Sequence, residues 1–251
     1  MNLTSEYPIS WKDLQDKVCK YLNEAGYLAE SPKTIKLVRG SIEVDVYAAS
    51  NNEMIRQFIC ECKYWNRPVP KEQINAFKTV VAESGANLGI FISTNRFQKG
   101  AIDAAYKSNV ILKDWNGFTE LIKKQWFRKQ LFKLAELFGT FNYYSNPLKM
   151  IEIINETPSR MKYESIRNRY ADCFTKFTFI DSELLEQDNF QVNGITFTDI
   201  HKLFCYFTSQ FTQGLKEYEE LTKDYPNICP TQEYIFSSSL LLLEDILTNK
   251  I

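Results

Sequence analysis

Residues 87–94, NLGIFIST, are apolar with no polar alternation. A run of this length between turn residues reads as a strand covered on both faces, so helices must pack on either side of the sheet that holds it. The surrounding pattern supplies them. KEQINAFKTVVAESG (71–85) sets Ile74, Phe77, Val80 and Val81 on one helical face, and RFQKGAIDAAYKSN (96–109) reads as a short helix. VILKDW (110–115) is a further strand. GSIEVDVYA (40–48) alternates, with Ile42, Val44 and Val46 on one side and Glu43, Asp45 and Tyr47 on the other. IRQFICECK (55–63) runs back as its antiparallel partner across the turn-forming ASNNEM (49–54). From residue 40 the order is β-β-α-β-α-β, an α/β fold with a central mixed β-sheet flanked by helices.

A helix is expected ahead of these strands, at SWKDLQDKVCKYLNEAG (10–26), with Ser10 as N-cap and Gly26 just past its end. Trp11, Leu14, Val18, Tyr21, Leu22 and Ala25 recur at helical spacing and predict one buried face. After residue 115 the texture changes. NGFTELIKKQWFRKQLFKLAELFGTF and MIEIINETPSRMKYESIRNRYADCF read as helices, and 22 of the 36 aromatic residues fall in 125–251. Two domains follow: an α/β domain over 1–122 and a mostly α-helical one over 123–251. Aromatics at helical spacing build a core or an oligomer interface, with base stacking or small-molecule sensing as the alternative.

A net charge of −1 excludes a globally basic nucleic-acid binder but leaves room for a local basic groove. Residues 1–124 carry 17 Lys/Arg against 14 Asp/Glu, and residues 125–251 carry 13 against 17, so a phosphate-facing surface belongs in the first half. The six cysteines lack zinc or disulfide-framework spacing, and the single histidine, His201, argues against Ser-His-Asp hydrolysis. No apolar run is long enough to span a membrane and no signal-like segment opens the chain; the expectation is a reduced, cytoplasmic protein without a membrane partner.

One strand carries an expense. Glu61 and Lys63 sit among Phe58, Ile59, Cys60 and Cys62, and burying such charges is costly unless they are paired, hydrated or bound to an ion. Period-2 geometry puts both on one face, and Asp45 on the partner strand comes within reach of Glu61. Two carboxylates and the Cys62 backbone carbonyl suit Mg²⁺, which takes hard oxygens and retains several waters. Such an ion lowers the pKa of a bound water and offsets charge on a scissile phosphate. Lys63 is placed to orient or help deprotonate that water. The plainer alternative is a cross-strand ion pair on an edge hairpin, worth ~0–1 kcal/mol when exposed.

In this order the residues resemble the PD-(D/E)xK, or restriction-endonuclease-like, nucleases, and within them the Mrr-like branch related to archaeal Holliday-junction resolvases. The features are Gly26-Tyr27 closing the first helix, Gly40-Ser41-Ile42-Glu43-Val44-Asp45, Glu61-Cys62-Lys63 followed by Tyr64-Trp65, Ser93-Thr94 ending a strand, and Phe97 to Ala101. The resemblance spans about residues 10–118. It implies catalytic Asp45, Glu61 and Lys63, with Mg²⁺ held by Asp45, Glu61 and the Cys62 carbonyl and Mn²⁺ as a substitute. Many members carry a metal-binding Glu on the first helix where this chain has Gln15, an uncharged amide. Gln15, Glu43 and Gln73 are candidates for lining the site or touching substrate, each with a solvated surface position as its alternative. Lys33, Lys36, Arg39, Arg67, Lys71, Arg96 and Lys99 form a phosphate-contacting rim or a scattered soluble surface. The implied activity is a metal-dependent DNA endonuclease of restriction type, in defence against foreign DNA, acting as a homodimer or higher oligomer. Its C-terminal domain would serve oligomerisation, recognition, or control by a partner protein. The alternatives are a structure-specific repair nuclease or resolvase, and a catalytically silent DNA-binding module.

Overall fold

The doubly covered strand expected at 87–94 is the fourth of a five-stranded sheet in a computed structural model of the protein, which describes residues 1–50 and 56–239. Two units divide the chain: Glu6–Lys129, and Met1–Ser5 together with the chain from Gln130 on. This division falls seven residues beyond the boundary expected at 122, within one continuous helix.

The first unit begins with α1 (Trp11–Glu24). The Ser10 hydroxyl accepts the Asp13 amide at 3.1 Å, and Gly26, at φ +93°, takes the left-handed turn that ends the helix. Then come β1 (Leu28–Glu30), β2 (Lys33–Lys36), β3 (Ser41–Val44), β4 (Val46–Ala49), β5 (Gln57–Lys63), α2 (Lys71–Ser84), β6 (Leu88–Ser93), α3 (Lys99–Ala105) and β7 (Val110–Lys113). The sheet order is β1-β4-β5-β6-β7, antiparallel from β1 to β5 and parallel from β5 to β7, so it is mixed. Its α2-facing core joins Ile59, Ile74, Phe77, Val81 and Phe91. Three local expectations are corrected. The strand at 40–48 is two strands, because β3 leaves the main sheet to pair with β2. The helix at 96–109 is shorter, α3 alone. Trp11 is not buried with the rest of the α1 face but half exposed, while Gln15 takes an interior place. Residues 51–54 of the expected turn and Ile55 lie outside the described residues.

Helix α4 (Trp115–Ser145) carries residues of both units. In the second unit it is followed by a 3-10 turn at Pro147–Lys149, α5 (Ile151–Ile154), α6 (Thr157–Thr178), a 3-10 turn at Ser182–Glu186, β8 (Phe190–Val192), β9 (Ile195–Phe197) and α7 (Ile200–Thr222). The unit is mainly helical, and its aromatics form its core. Phe138 lies 4.9 Å from Phe177 and Phe141 lies 5.0 Å from Phe211, ring centre to ring centre. Asp199, 1% exposed, caps α7 through the Lys202 amide at 2.7 Å and accepts the Ser5 hydroxyl at 2.6 Å, which ties the first five residues to this unit. Among the described residues no helix is long and apolar enough to cross a membrane.

Candidate active site

Asp45 stands where β3 and β4 part. Its neighbours on one side pair with β2 and on the other with β5, so the residue itself sits in neither ladder. The Cys62 amide on β5 faces this gap and donates to Asp45 Oδ2 at 2.7 Å, where a backbone carbonyl would otherwise have served. The second oxygen, Oδ1, accepts Gln15 Nε2 at 2.6 Å. Gln15 is 2% exposed on the buried face of α1, so packing as well as hydrogen bonding holds that amide against the acid.

Glu61 completes the pair of acids. The β4–β5 ladder ends with Val46 opposite Cys60, so Asp45 and Glu61, the next residue on each strand, come together at its end, close enough that the Asp45 charge acts on Glu61. Lys63, two residues on, donates to Glu61 Oε1 in a close ion pair. Burial raises the Glu61 pKa first, the charge on Asp45 raises it further, and Lys63 pulls it back by charge and hydrogen bond without cancelling the rise. Two carboxylates held together beside one ammonium leave an excess of buried negative charge.

The donor set fits one hard divalent cation. It comprises two carboxylates and the Cys62 carbonyl, which lies on the same strand edge as the amide already bonded to Asp45. Among the described residues no cluster of three or more His, Cys, Asp and Glu side chains is suited to a metal. Gln15 occupies the place beside Asp45 that a third carboxylate would fill, and its amide donates rather than coordinates.

Glu43 and Gln73 are not hydrogen-bonded into this cluster. Glu43 is exposed on β3 opposite Thr34, and Gln73 is half-buried in the first turn of α2; neither hydrogen-bonds to Asp45, Glu61 or Lys63. Trp65, quoted in the sequence only as the aromatic after the Glu-Cys-Lys run, lies against the cluster. Its ring centre is 5.9 Å from Lys63 Nζ and 5.0 Å from the Arg67 guanidinium carbon. The aromatic beside two cations at alternating positions was the available signal.

Residues 7–122 match the Mrr_cat family model, described as a restriction endonuclease, and Gln15, Asp45, Glu61, Cys62 and Lys63 all lie inside the matched segment. No curated protein matches the chain. A solved structure titled "Crystal Structure of Protein of Unknown Function AF1548" is 19% identical and aligns over 42% of this chain with a TM-score of 0.38. The chain spans 59% of the length of that structure.

Proposed function

With residues 7–122 a restriction-endonuclease domain of the Mrr-like branch, we propose that the protein is a Mg²⁺-dependent DNA endonuclease, with Mn²⁺ able to substitute. The observation that carries the reading is the meeting of Asp45, Glu61 and Lys63 at the end of the β4–β5 ladder, with the Cys62 amide fixing the aspartate. Asp45, Glu61 and the Cys62 carbonyl hold the cation. When bound, it supplies an acidified water and offsets charge on the phosphate under attack. Gln15 and the Cys62 amide fix the direction of the Asp45 oxygens before substrate arrives, so little reorganisation is needed during reaction. Lys63 orients the attacking water and holds its ammonium toward the phosphate oxygens, while Glu61 keeps the lysine in place. The α2-facing core below the acids supports them on rigid strands.

The wider reading is restriction-type defence against foreign DNA in the cytoplasm. Cleaving both strands of a duplex needs two such sites, so a homodimer or higher oligomer is expected. The second unit is then the means of oligomerisation, of target recognition, or of control by a partner protein. One observation favours a different reading. The Gln15 amide bonded to Asp45 leaves one fewer carboxylate than many family members have, which suits a DNA-binding module without catalysis.

Plasmid cleavage separates the two. Wild-type protein in Mg²⁺ should nick or linearise DNA, EDTA should stop it, and Lys63→Ala and Asp45→Asn should each lower the rate by at least ~100-fold. Cleavage by Lys63→Ala at the wild-type rate would sink the catalytic assignment.

A further inference from the structure

Beyond Lys63 the chain leaves the sheet through Tyr64, Trp65, Asn66 and Arg67. Trp65 is half-buried and packs onto the α2-facing core, so its ring is fixed by the fold. Two cations lie against that ring: Lys63 Nζ at 5.9 Å and the Arg67 guanidinium at 5.0 Å from its centre. An indole face attracts cations through its quadrupole. The two cations differ in their other partners. Lys63 is paired with Glu61. Arg67 is exposed and has no carboxylate within ion-pairing distance among the described residues. A guanidinium lying on an aromatic ring keeps its edge N–H groups free in a fixed fork, which matches the oxygens of a phosphate.

We propose that Trp65 is a positioning residue for both charges: its ring holds the Lys63 ammonium for the cleavage step and holds the Arg67 guanidinium for a phosphate neighbouring the scissile one on the bound strand. The inference rests on the nuclease reading. It adds a division of labour within the run Lys63-Tyr64-Trp65-Asn66-Arg67, in which one ring contacts two cations of different duty. Lys63 serves turnover, Arg67 serves binding, and Trp65 serves both.

Steady-state cleavage in Mg²⁺ and duplex binding in EDTA, followed by fluorescence anisotropy over a range of salt, test this on the full chain. Trp65→Phe, which keeps an aromatic face, should hold kcat within about threefold, whereas Trp65→Leu should lower kcat at least about tenfold and weaken binding. Arg67→Ala should raise KM about tenfold with a smaller change in kcat, and reduce the slope of log K against log salt by about one. Should Trp65→Leu not fold, fluorinated phenylalanines introduced at residue 65 keep the shape of Trp65→Phe and drain charge from the ring; kcat should fall with each added fluorine. Equal kcat for the Leu and Phe variants, or a flat fluorine series, overturns the lysine half. An unchanged KM and salt slope for Arg67→Ala overturns the arginine half. Lys63→Ala distinguishes these failures from that of the nuclease reading: if it cuts like wild type, both fall, and if it is inactive the Trp65 outcomes stand alone.

Discussion

Cys60 and Cys62 flank Glu61 on β5, yet period-2 geometry turns their thiols to the other face of the sheet, where both are fully buried. Burial pushes both thiols up, and the nearby Asp45 charge adds to the rise. Cys173, on α6, is pushed up to about 11 by burial and the Asp172 charge. Cys205 and Cys229 are exposed. Because the thiolate is the reactive form, brief alkylation of native protein at pH 8 should label Cys205 and Cys229 and spare Cys60, Cys62 and Cys173 until denaturant is added. Peptide mass spectrometry reads this directly, and native labelling at Cys60 or Cys62 would contradict the placement of β5. At this scale the acids were legible, since alternation puts Glu61 and Lys63 on one face and the antiparallel course of the two strands brings Asp45 to the end of the ladder beside them. Two residues were not. Helical spacing assigned Trp11 to the buried face, but spacing does not tell how far along a helix its partners extend. Trp65 lies past the end of β5, where its spacing of two from Lys63 and from Arg67 was a signal, but the path of the chain after the strand decides the contact.

Helix α2 comes down on β6 at Gly89. A Cβ there would lie 2.5 Å from Val81 Cγ2 and 2.7 Å from Phe77 Cε1, both in the core. Gly89→Ala should therefore cost ~1–3 kcal/mol by overpacking and lower the thermal midpoint by several degrees. Gly100 makes the opposite case. It lies inside α3, and the nearest atom to an added Cβ is Lys71 Cβ at 3.6 Å, so Gly100→Ala should stabilise by up to ~1 kcal/mol. Thermal denaturation of the two variants beside wild type should give shifts of opposite sign; equal shifts would contradict the α2–β6 contact. Elements with long patterns, the helical period of α1 and α2 and the unbroken apolar run of β6, were visible in the sequence. Those missed are short: β1 and β2 have three and four residues, with alternate ones facing solvent. The β8–β9 hairpin did carry a signal. Asn193-Gly194, both at positive φ, form the turn between its strands, a pairing that favours tight hairpins. Three-residue strands on either side supply too little alternation to stand out from the helices around them.

At the scale of the whole chain, the change in texture near residue 122 announces a second unit but not where the first one ends. Helix α4 runs through that point without a Gly or Pro break in its pattern, so the sequence carries no punctuation there. Trp126 decides the matter physically. It is 2% exposed and its indole N–H donates to Glu24 Oε2 at 2.7 Å, which binds the helix past residue 122 to α1 of the first unit. A piece ending at 122, where the family match stops, loses this side chain and its hydrogen bond to Glu24. A piece ending at 129 keeps both. Removing a buried tryptophan costs ~3–5 kcal/mol, a large share of the ~5–15 kcal/mol that holds an ordinary domain together. Residues 6–129 expressed alone should therefore unfold cooperatively at a clearly higher temperature than residues 6–122. Trp126→Ala placed in the longer piece should bring its midpoint down toward that of the shorter one. Midpoints within a degree of each other for the two pieces would mean that the helix beyond 122 adds nothing to the first unit, and that its buried tryptophan owes its burial to some other contact.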